Sequence, residues 1–186
     1  MLNQPPIMET ITTEAEEKRY AELQLLALDA ARGGDSPALA FMVRAGLPIN
    51  LQDHKGNTLL MLASYHGHAE IVGALLDCGA DPDRRNLRGQ TPLGGVAFKG
   101  YVEIATLLLD AGADLNADQG GGTTPIMLAS LFGRTEMVRV LRQRGADDGA
   151  RNRWGLSAGL LGYLFRIVSK MRHPFQPTPP QHLSRS

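Results

Sequence analysis

Apolar and polar positions alternate along this chain in a helical pattern that recurs every 33 residues. In the clearest copy, one face of a predicted helix is formed by Ile71, Val72, Leu75 and Leu76. A shorter apolar segment of roughly two turns precedes that face, and such a helix is marginal in isolation. Each copy therefore predicts two short helices that depend on their neighbours for stability.

Threonine and glycine mark the predicted ends of these helices. The N-cap positions of the first helices fall on Thr58, Thr91 and Thr124, with proline following the last two. Glycine recurs in three series, which are Gly34, Gly67, Gly100 and Gly133; Gly46, Gly79, Gly112 and Gly145; and Gly56, Gly89, Gly122 and Gly155. The second series fits the left-handed position that ends a helix. A fixed period of this length predicts stacked supersecondary units that share one continuous surface.

The motifs themselves resemble the ankyrin repeat. Its patterns G-x-T-P-L, G-H-x-E-I-V and L-L-x-x-G-A-D are matched by residues 89–93, 67–72 and 75–81. Three units match in full over residues 50–148. The resemblance implies an all-α fold, an ankyrin-repeat solenoid of stacked helix-turn-helix units joined by hairpin loops.

The ends of the predicted domain are less regular. Residues 20–49 are interpreted as an N-terminal capping repeat, and a degraded fifth unit begins at Asn152, with Ser157 in the threonine position. Thr13 and Glu16 are predicted to form a capping box that begins the first long helix. We expect a flexible segment over residues 1–12, the repeat domain over 13–171, and a disordered Pro-rich tail over 172–186.

One family position departs from the pattern. The histidine that ties neighbouring ankyrin units together is replaced by Met61, Gly94 and Met127. Gly94 and Gly95 also place two poor helix formers in the first helix of the central unit. We interpret that unit as locally weaker, or as a place where a backbone approaches closely.

Charge is balanced over the whole chain but not along it. The formal net charge is zero, whereas residues 134–186 carry 10 basic and 3 acidic side chains. The N-terminus has no basic start followed by an apolar run, so no signal peptide is predicted. A lone Cys78 cannot form an internal disulfide and suits a reducing compartment, so we expect a cytoplasmic protein.

The sequence contains no motif for a metal site, a phosphate-binding loop or a catalytic nucleophile. His66 and His68, with Cys78 or Asp81, do not have the spacing of a zinc site, and no metal is expected. Residues 120–122 are three glycines without the lysine of a phosphate-binding loop. Ser64 and Ser130 have no base visible in the sequence. We expect neither catalysis nor a cofactor.

The resemblance directs attention to the concave side, where ankyrin partners usually bind. Its helix-end positions fall on Tyr65, His66, Phe98, Lys99, Leu131 and Phe132. Its hairpin-tip positions include His54, Lys55, Leu87, Arg88, Arg153 and Trp154. Four of these twelve side chains are aromatic, and an exposed aromatic row marks a binding surface. The prediction is a non-catalytic module that binds a protein partner as a monomer.

The C-terminal segment offers an alternative. Residues 156–171 carry apolar side chains on more than one face, and the basic residues at this end could attach the chain to a membrane surface or, less plausibly, to nucleic acid. The stripe of Leu160, Leu161, Leu164, Phe165 and Val168 is predicted instead to cap the last unit. Its absence is predicted to expose Met137, Val138 and Leu141.

Overall fold

The computed structural model describes residues 14–172, and within that range the fold is helical apart from an isolated bridge between Gln52 and Thr58. The helices are α1 Glu14–Gly33, α2 Ser36–Arg44, α3 Leu59–His66, α4 Ala69–Asp77, α5 Pro92–Lys99, α6 Val102–Asp110, α7 Pro125–Leu131, α8 Thr135–Gln143 and α9 Ala158–Arg172. The predicted all-α solenoid of paired helices is confirmed.

The helices form two layers. An inner layer contains α1, α3, α5, α7 and α9, each packed against the next, and an outer layer contains α2, α4, α6 and α8 in the same order. One apolar core runs between the layers from Ala27 in α1 to Leu161 in α9. Each unit buries its apolar stripe only by stacking on its neighbours, as the short amphipathic pattern requires.

Threonine precedes three of the inner helices, α3, α5 and α7, and its side chain caps the first two as predicted. The Thr58 hydroxyl accepts a hydrogen bond from the Met61 N–H, and the Thr91 hydroxyl accepts one from the Gly94 N–H. The prediction is wrong for Thr124, whose buried Oγ1 has no hydrogen-bond partner among the described residues. The outer helices end as expected, with a left-handed glycine after α4, α6 and α8.

Neighbouring units are tied together at the turn between inner and outer helix. The residue before each outer helix lies over the left-handed glycine of the preceding unit, so that a Cβ on Gly67 would lie 3.2 Å from the Tyr101 ring. His68 Nε2 lies 2.8 Å from the Arg32 carbonyl oxygen, and Arg134 Nε donates to the Phe98 carbonyl oxygen at 2.9 Å. These contacts at the turns link successive units. The histidine that links units elsewhere in the family is replaced by Met61, Gly94 and Met127.

A second set of ties repeats in the loops between units. Side-chain oxygens of Asn50, Asp83 and Asn116 accept hydrogen bonds from the backbone N–H of residues 81, 114 and 147, at 2.9 to 3.0 Å. Each bond spans 31 residues and therefore joins one unit to the next. The 33-residue period thus repeats polar contacts as well as apolar ones.

The predicted ends of the domain are only partly covered. Thr13 of the proposed capping box, the segment 1–12 and residues 173–186 of the proposed tail lie outside the described residues. Arg172 was assigned to that tail but is the last residue of α9.

The terminal helix packs on the last full unit, as predicted for a cap, but through fewer side chains than predicted. α9 lies along the inner helix α7, and its buried side chains are Ala158 and Leu161 rather than the whole predicted stripe. Leu160, Leu164, Phe165 and Val168 remain 37–55% exposed. The prediction that α9 covers Met137, Val138 and Leu141 of α8 is corrected, because α9 packs mainly on α7 and an open groove lies between α8 and α9.

Candidate protein-binding surface

A groove of about 390 Å³ runs along the concave side of the solenoid. We call it the concave groove, and its lining residues are Lys55, Asn57, Met61, Leu62, Tyr65, Asn86, Arg88, Gln90, Thr91, Gly94, Gly95, Phe98, Gln119 and Leu128. One wall comes from the hairpin tips and the other from the ends of the inner helices. Four of the predicted site residues, Lys55, Tyr65, Arg88 and Phe98, therefore lie on one continuous surface.

Three aromatic rings extend along the helix-end wall, and we call them the aromatic row. The Tyr65 and Phe98 rings are stacked with centroids 6.4 Å apart, and the Phe98 and Phe132 rings meet edge to face at 4.4 Å. Tyr65 and Phe132 are each 40% exposed, and Phe98 is half-buried between them. Aromatic pairs at these distances attract each other, so the row is a preformed apolar surface.

Glycine at residue 95 of α5 leaves room for the Tyr65 ring of α3. A Cβ on Gly95 would lie 3.4 Å from the Tyr65 ring, already at contact distance. A larger side chain at residue 95 would occupy the space beside the ring and fill the groove. The second glycine in the central unit thus preserves the depth of the concave groove.

The floor of the groove contains a buried amide from the next hairpin. Gln119 Oε1 accepts from the Thr91 N–H, and Gln119 Nε2 donates to the Thr91 hydroxyl, both at 2.9 Å. A Cβ on Gly94 would lie 1.9 Å from Gln119 Oε1, so this side chain fits only because residue 94 is glycine. The expectation that a backbone approaches the glycines of the central unit is wrong at Gly94, where the group that approaches closely is the Gln119 side chain.

The first hairpin tip is held by a buried carboxylate. Asp53 has a 5% exposed side chain, which accepts hydrogen bonds from Asn57, the Lys55 N–H and Arg32. Burial alone would raise the pKa of Asp53, but these hydrogen bonds together outweigh it and hold the pKa below its ordinary value of 3.8. Lys55 is therefore presented from a tip whose only carboxylate is already paired.

Successive tips contact one another. The Leu87 N–H donates to the Lys55 carbonyl oxygen at 3.0 Å, which joins the first and second tips. The Arg153 N–H donates to the Gly121 carbonyl oxygen at 2.9 Å, which joins the third and fourth. Leu87 is 80% exposed, so it offers apolar surface beside the tip wall.

Trp154 lies apart from the aromatic row. It is 62% exposed, and its ring is covered by Arg153, whose Cζ lies 4.4 Å from the ring centroid. The ring–ring contacts found within residues 14–172 do not involve Trp154. They join Tyr65, His66, His68, Phe98 and Phe132. The structure thus brings three of the four predicted aromatic residues together and places the fourth at a separate tip.

The charge of the concave side is positive. Lys55 and Arg88 line the groove and no acidic residue does, while Lys99 Nζ lies 4.4 Å from the Tyr65 ring centroid. Burial is the largest cause lowering the pKa of His66, followed by the charges of His68, Lys99 and Arg32. His66 is therefore neutral at pH 7, and the fixed cations of the surface are lysine and arginine.

The described part of the chain provides no grouping that suggests other chemistry. Over residues 14–172, no group of three or more His, Cys, Asp or Glu side chains is placed to bind a metal ion. Within the same range, none of the helices combines the length and apolar character needed to cross a membrane.

The geometry shows which class of protein this is. It is a helical repeat solenoid whose concave side is formed by hairpin tips and inner helices. The family model for ankyrin repeats (three copies) matches residues 27–119 and also residues 78–152. The chain belongs to the ankyrin repeat family. Ankyrin repeats are in general protein–protein interaction modules, and the family is in general not enzymatic.

A curated relative agrees with this assignment. An ankyrin repeat protein of Pseudomonas aeruginosa is 59% identical over 44 residues, which are 24% of this chain and 26% of the relative. The match thus covers about a quarter of either protein.

Sequence reasoning found the aromatic row but missed the floor of the groove. The exposed helix-end positions are fixed by the repeat register, so the aromatic residues there were visible in advance. Gln119 was not, because its contacts with Thr91 span 28 residues. One sequence signal could have indicated this contact. Residue 94 is glycine, and the first position of the next hairpin, residue 119, is glutamine.

Proposed function

We propose that this chain is a non-catalytic interaction module that binds a protein partner in the concave groove. The observation that carries the proposal is the aromatic row beside a groove that contains cations and no carboxylate. Aromatic side chains in such a position dominate the free energy of binding, while surrounding polar residues fix orientation.

The charge of the groove indicates the chemistry of the partner segment. Lys55 and Arg88 on the tip wall complement Asp or Glu, and the aromatic row across the groove complements an apolar or aromatic side chain. We therefore propose an acidic segment with one apolar anchor. Arg88 is exposed and contributes mainly to the rate of association, whereas the anchor contributes mainly to residence time.

Selection of random displayed peptides on the full chain tests this proposal. Selected peptides are expected to combine acidic residues with an apolar anchor, and their affinity is expected to fall at least about tenfold in the Phe98→Ala, Phe132→Ala double variant. Phe41→Ala is the matched control, because Phe41 is 74% exposed on the outer helix α2 and does not line the groove.

Thermal unfolding distinguishes a binding surface from a core. The double variant is expected to unfold within a few degrees of the parent chain, because Phe132 is 40% exposed and Phe98 is only half-buried. A large fall in melting temperature, or unchanged peptide affinity in the double variant, would contradict the proposal.

A further inference from the structure

The last helix carries a second apolar face that the fold does not use. Ala158 and Leu161 are buried against α7, whereas the opposite side of α9 has an exposed seam at the i, i+3, i+4, i+7 spacing. We call it the α9 seam, and it consists of Leu160, Tyr163, Leu164 and Ile167. These side chains are 39–53% exposed, and together they form the stripe by which a helix packs on another helix.

The position of the seam indicates what would cover it. In the inner layer, each of α3, α5 and α7 is packed between two other inner helices, whereas within residues 14–172 α9 is packed on one side only. The α9 seam faces away from α7, where the next inner helix of the stack would lie. The surface is therefore shaped for another inner helix that continues the same stacking.

The opposite end of the molecule presents such a helix. α1 is the first inner helix, and it packs through Ala27, Leu28 and Ala31 against the core. Its other side carries Leu25 at 62% exposure, and the outer helix α2 beside it presents Phe41 at 74%. Both ends of the stack thus expose apolar side chains on the sides that have no neighbouring helix among the described residues, whereas the exposed side chains of the middle inner helices, such as Tyr65 and Leu131, lie at the ends of those helices on the concave side.

The two ends also have opposite charge. α9 carries Arg166, Lys170 and Arg172 and no acidic residue. α1 carries five acidic and three basic residues, a net charge of −2, and its first turn contains Glu14, Glu16 and Glu17. The Leu25 side itself is mixed, since Glu22 lies there beside Lys18, and Asp29 is paired with Arg32, so the opposite charge is that of the helix as a whole. Opposite charges on two surfaces favour their contact and disfavour the pairing of two like ends.

We propose that two copies of this chain associate head to tail, with the α9 seam of one copy packed on the Leu25 face of α1 in the next. The contact repeats between molecules the stacking that α7 and α9 make within one molecule. Such a contact joins two different surfaces, so it leaves one end free at each side and can extend. The monomer expected from sequence is then the dilute state.

Sedimentation velocity on the full chain measures this association. The weight-average mass is expected to rise above 20.1 kDa with concentration at low salt. It is expected to rise less steeply in about 1 M salt, where the Debye length is only about 3 Å, because the charges no longer favour the contact while the apolar seam still does. A mass that stays at the monomer value throughout would overturn the proposal.

Two single-end variants determine which surfaces meet. Ile167→Asp disables the α9 seam and Leu25→Asp disables the α1 face, so each variant alone is expected to sediment as a monomer. Because each variant keeps one intact end, their mixture is expected to form a 1:1 complex of about twice 20.1 kDa that grows no further. Leu25→Asp dimerising by itself would show that two α9 seams pair, which contradicts the head-to-tail arrangement.

Controls separate this association from folding and from lipid binding. Leu131→Asp introduces the same charge at a concave position of 39% exposure and is expected to associate like the parent chain. Circular dichroism must show unchanged helix content in all three variants. Binding to phosphatidylserine vesicles that is lost in Ile167→Asp, in a chain that stays monomeric, would overturn the proposal and assign α9 to membranes.

Discussion

The concave groove and the α9 seam are both exposed apolar surfaces, but they arise in different ways. The groove combines positions from several units, namely tips, inner-helix ends and a buried amide from the next hairpin. The seam belongs to a single helix whose stack has no further member among the described residues. Each unit contributes equivalent positions to the groove, and the side chains at those positions can differ to suit a partner. The seam instead has the shape of the helix–helix interface by which the units stack.

Removal of α9 by truncation after Arg153 has the largest expected effect. It uncovers the side of α7 on which Ala158 and Leu161 are buried, and we expect a loss of at least about 3 kcal/mol in unfolding free energy together with aggregation. Urea unfolding and light scattering measure both. A soluble truncated chain that unfolds at the same urea concentration as the parent would show that α9 is not part of the folded stack.

The buried carboxylate of the first tip has the next largest expected effect. Asp53→Asn is expected to cost about 2 kcal/mol at pH 7, because the amide cannot accept the hydrogen bonds from both Arg32 and Asn57. The pKa of Asp53 is lower in the folded chain than its ordinary value of 3.8, so the contribution is full above that value and is lost as pH falls through the folded pKa.

Unfolding free energies measured from pH 7 down to pH 2 test that sign. The difference between the parent and Asp53→Asn is expected to shrink as pH falls below about 4. Asp29→Asn is the control, because Asp29 also pairs with Arg32 at 2.8 Å but is 73% exposed. A difference for Asp53 that stays constant over this range would mean that its charge contributes nothing.

Substitution of Gly94 tests the floor of the groove. Gly94→Ala is expected to cost about 1–2 kcal/mol, because the methyl group displaces Gln119 from Thr91 and this loss exceeds the gain in helix propensity. Gly73→Ala, where a Cβ meets no atom within 4 Å, is expected to stabilise by up to about 1 kcal/mol. In a Gln119→Ala background the cost at residue 94 should disappear, and its persistence there would contradict the contact.

The two threonines of the second and third full units provide the smallest and most closely matched pair. Thr91→Val is expected to cost about 1 kcal/mol, because it removes the acceptor of the Gly94 N–H and one of the hydrogen bonds of the Gln119 amide, which keeps its bonds to the Thr91 N–H and the Ala117 carbonyl oxygen. Thr124→Val is expected to be neutral or slightly stabilising, since its buried hydroxyl has no partner to lose. Equal costs at both sites, measured by urea unfolding, would show that the two hydroxyls are equivalent in solution.

Local pattern predicted the helices well, and contacts across units account for part of what it missed. The threonine and glycine signals act within a few residues, so the helix pairs could be placed from sequence. Thr124 lacks the inter-unit partner that Gln119 gives Thr91, because Asn152 in the following hairpin accepts from its own tip instead. Asn86 does the same beside Thr58, which nevertheless caps α3, so the absence of a cap at Thr124 has no structural explanation.

The terminal helix was misjudged for a related reason. The apolar residues of α9 outnumber what one neighbour can cover, and the pattern alone does not say which face is used. The side of α9 that packs on α7 carries the buried Ala158 and Leu161 and also Gly162, which lies next to Ser130. The larger residues are left outside, where they form the α9 seam.

The central claim is that the concave groove binds a protein segment, and amide chemical-shift mapping tests it most directly. A peptide selected on the full chain is titrated into the isotopically labelled protein. The account predicts the largest shifts at Gly94, Gly95 and the aromatic row, with small shifts in the outer helices α4 and α6 and in α9. Largest shifts in α4, α6 or α9, with an unperturbed groove, would contradict it.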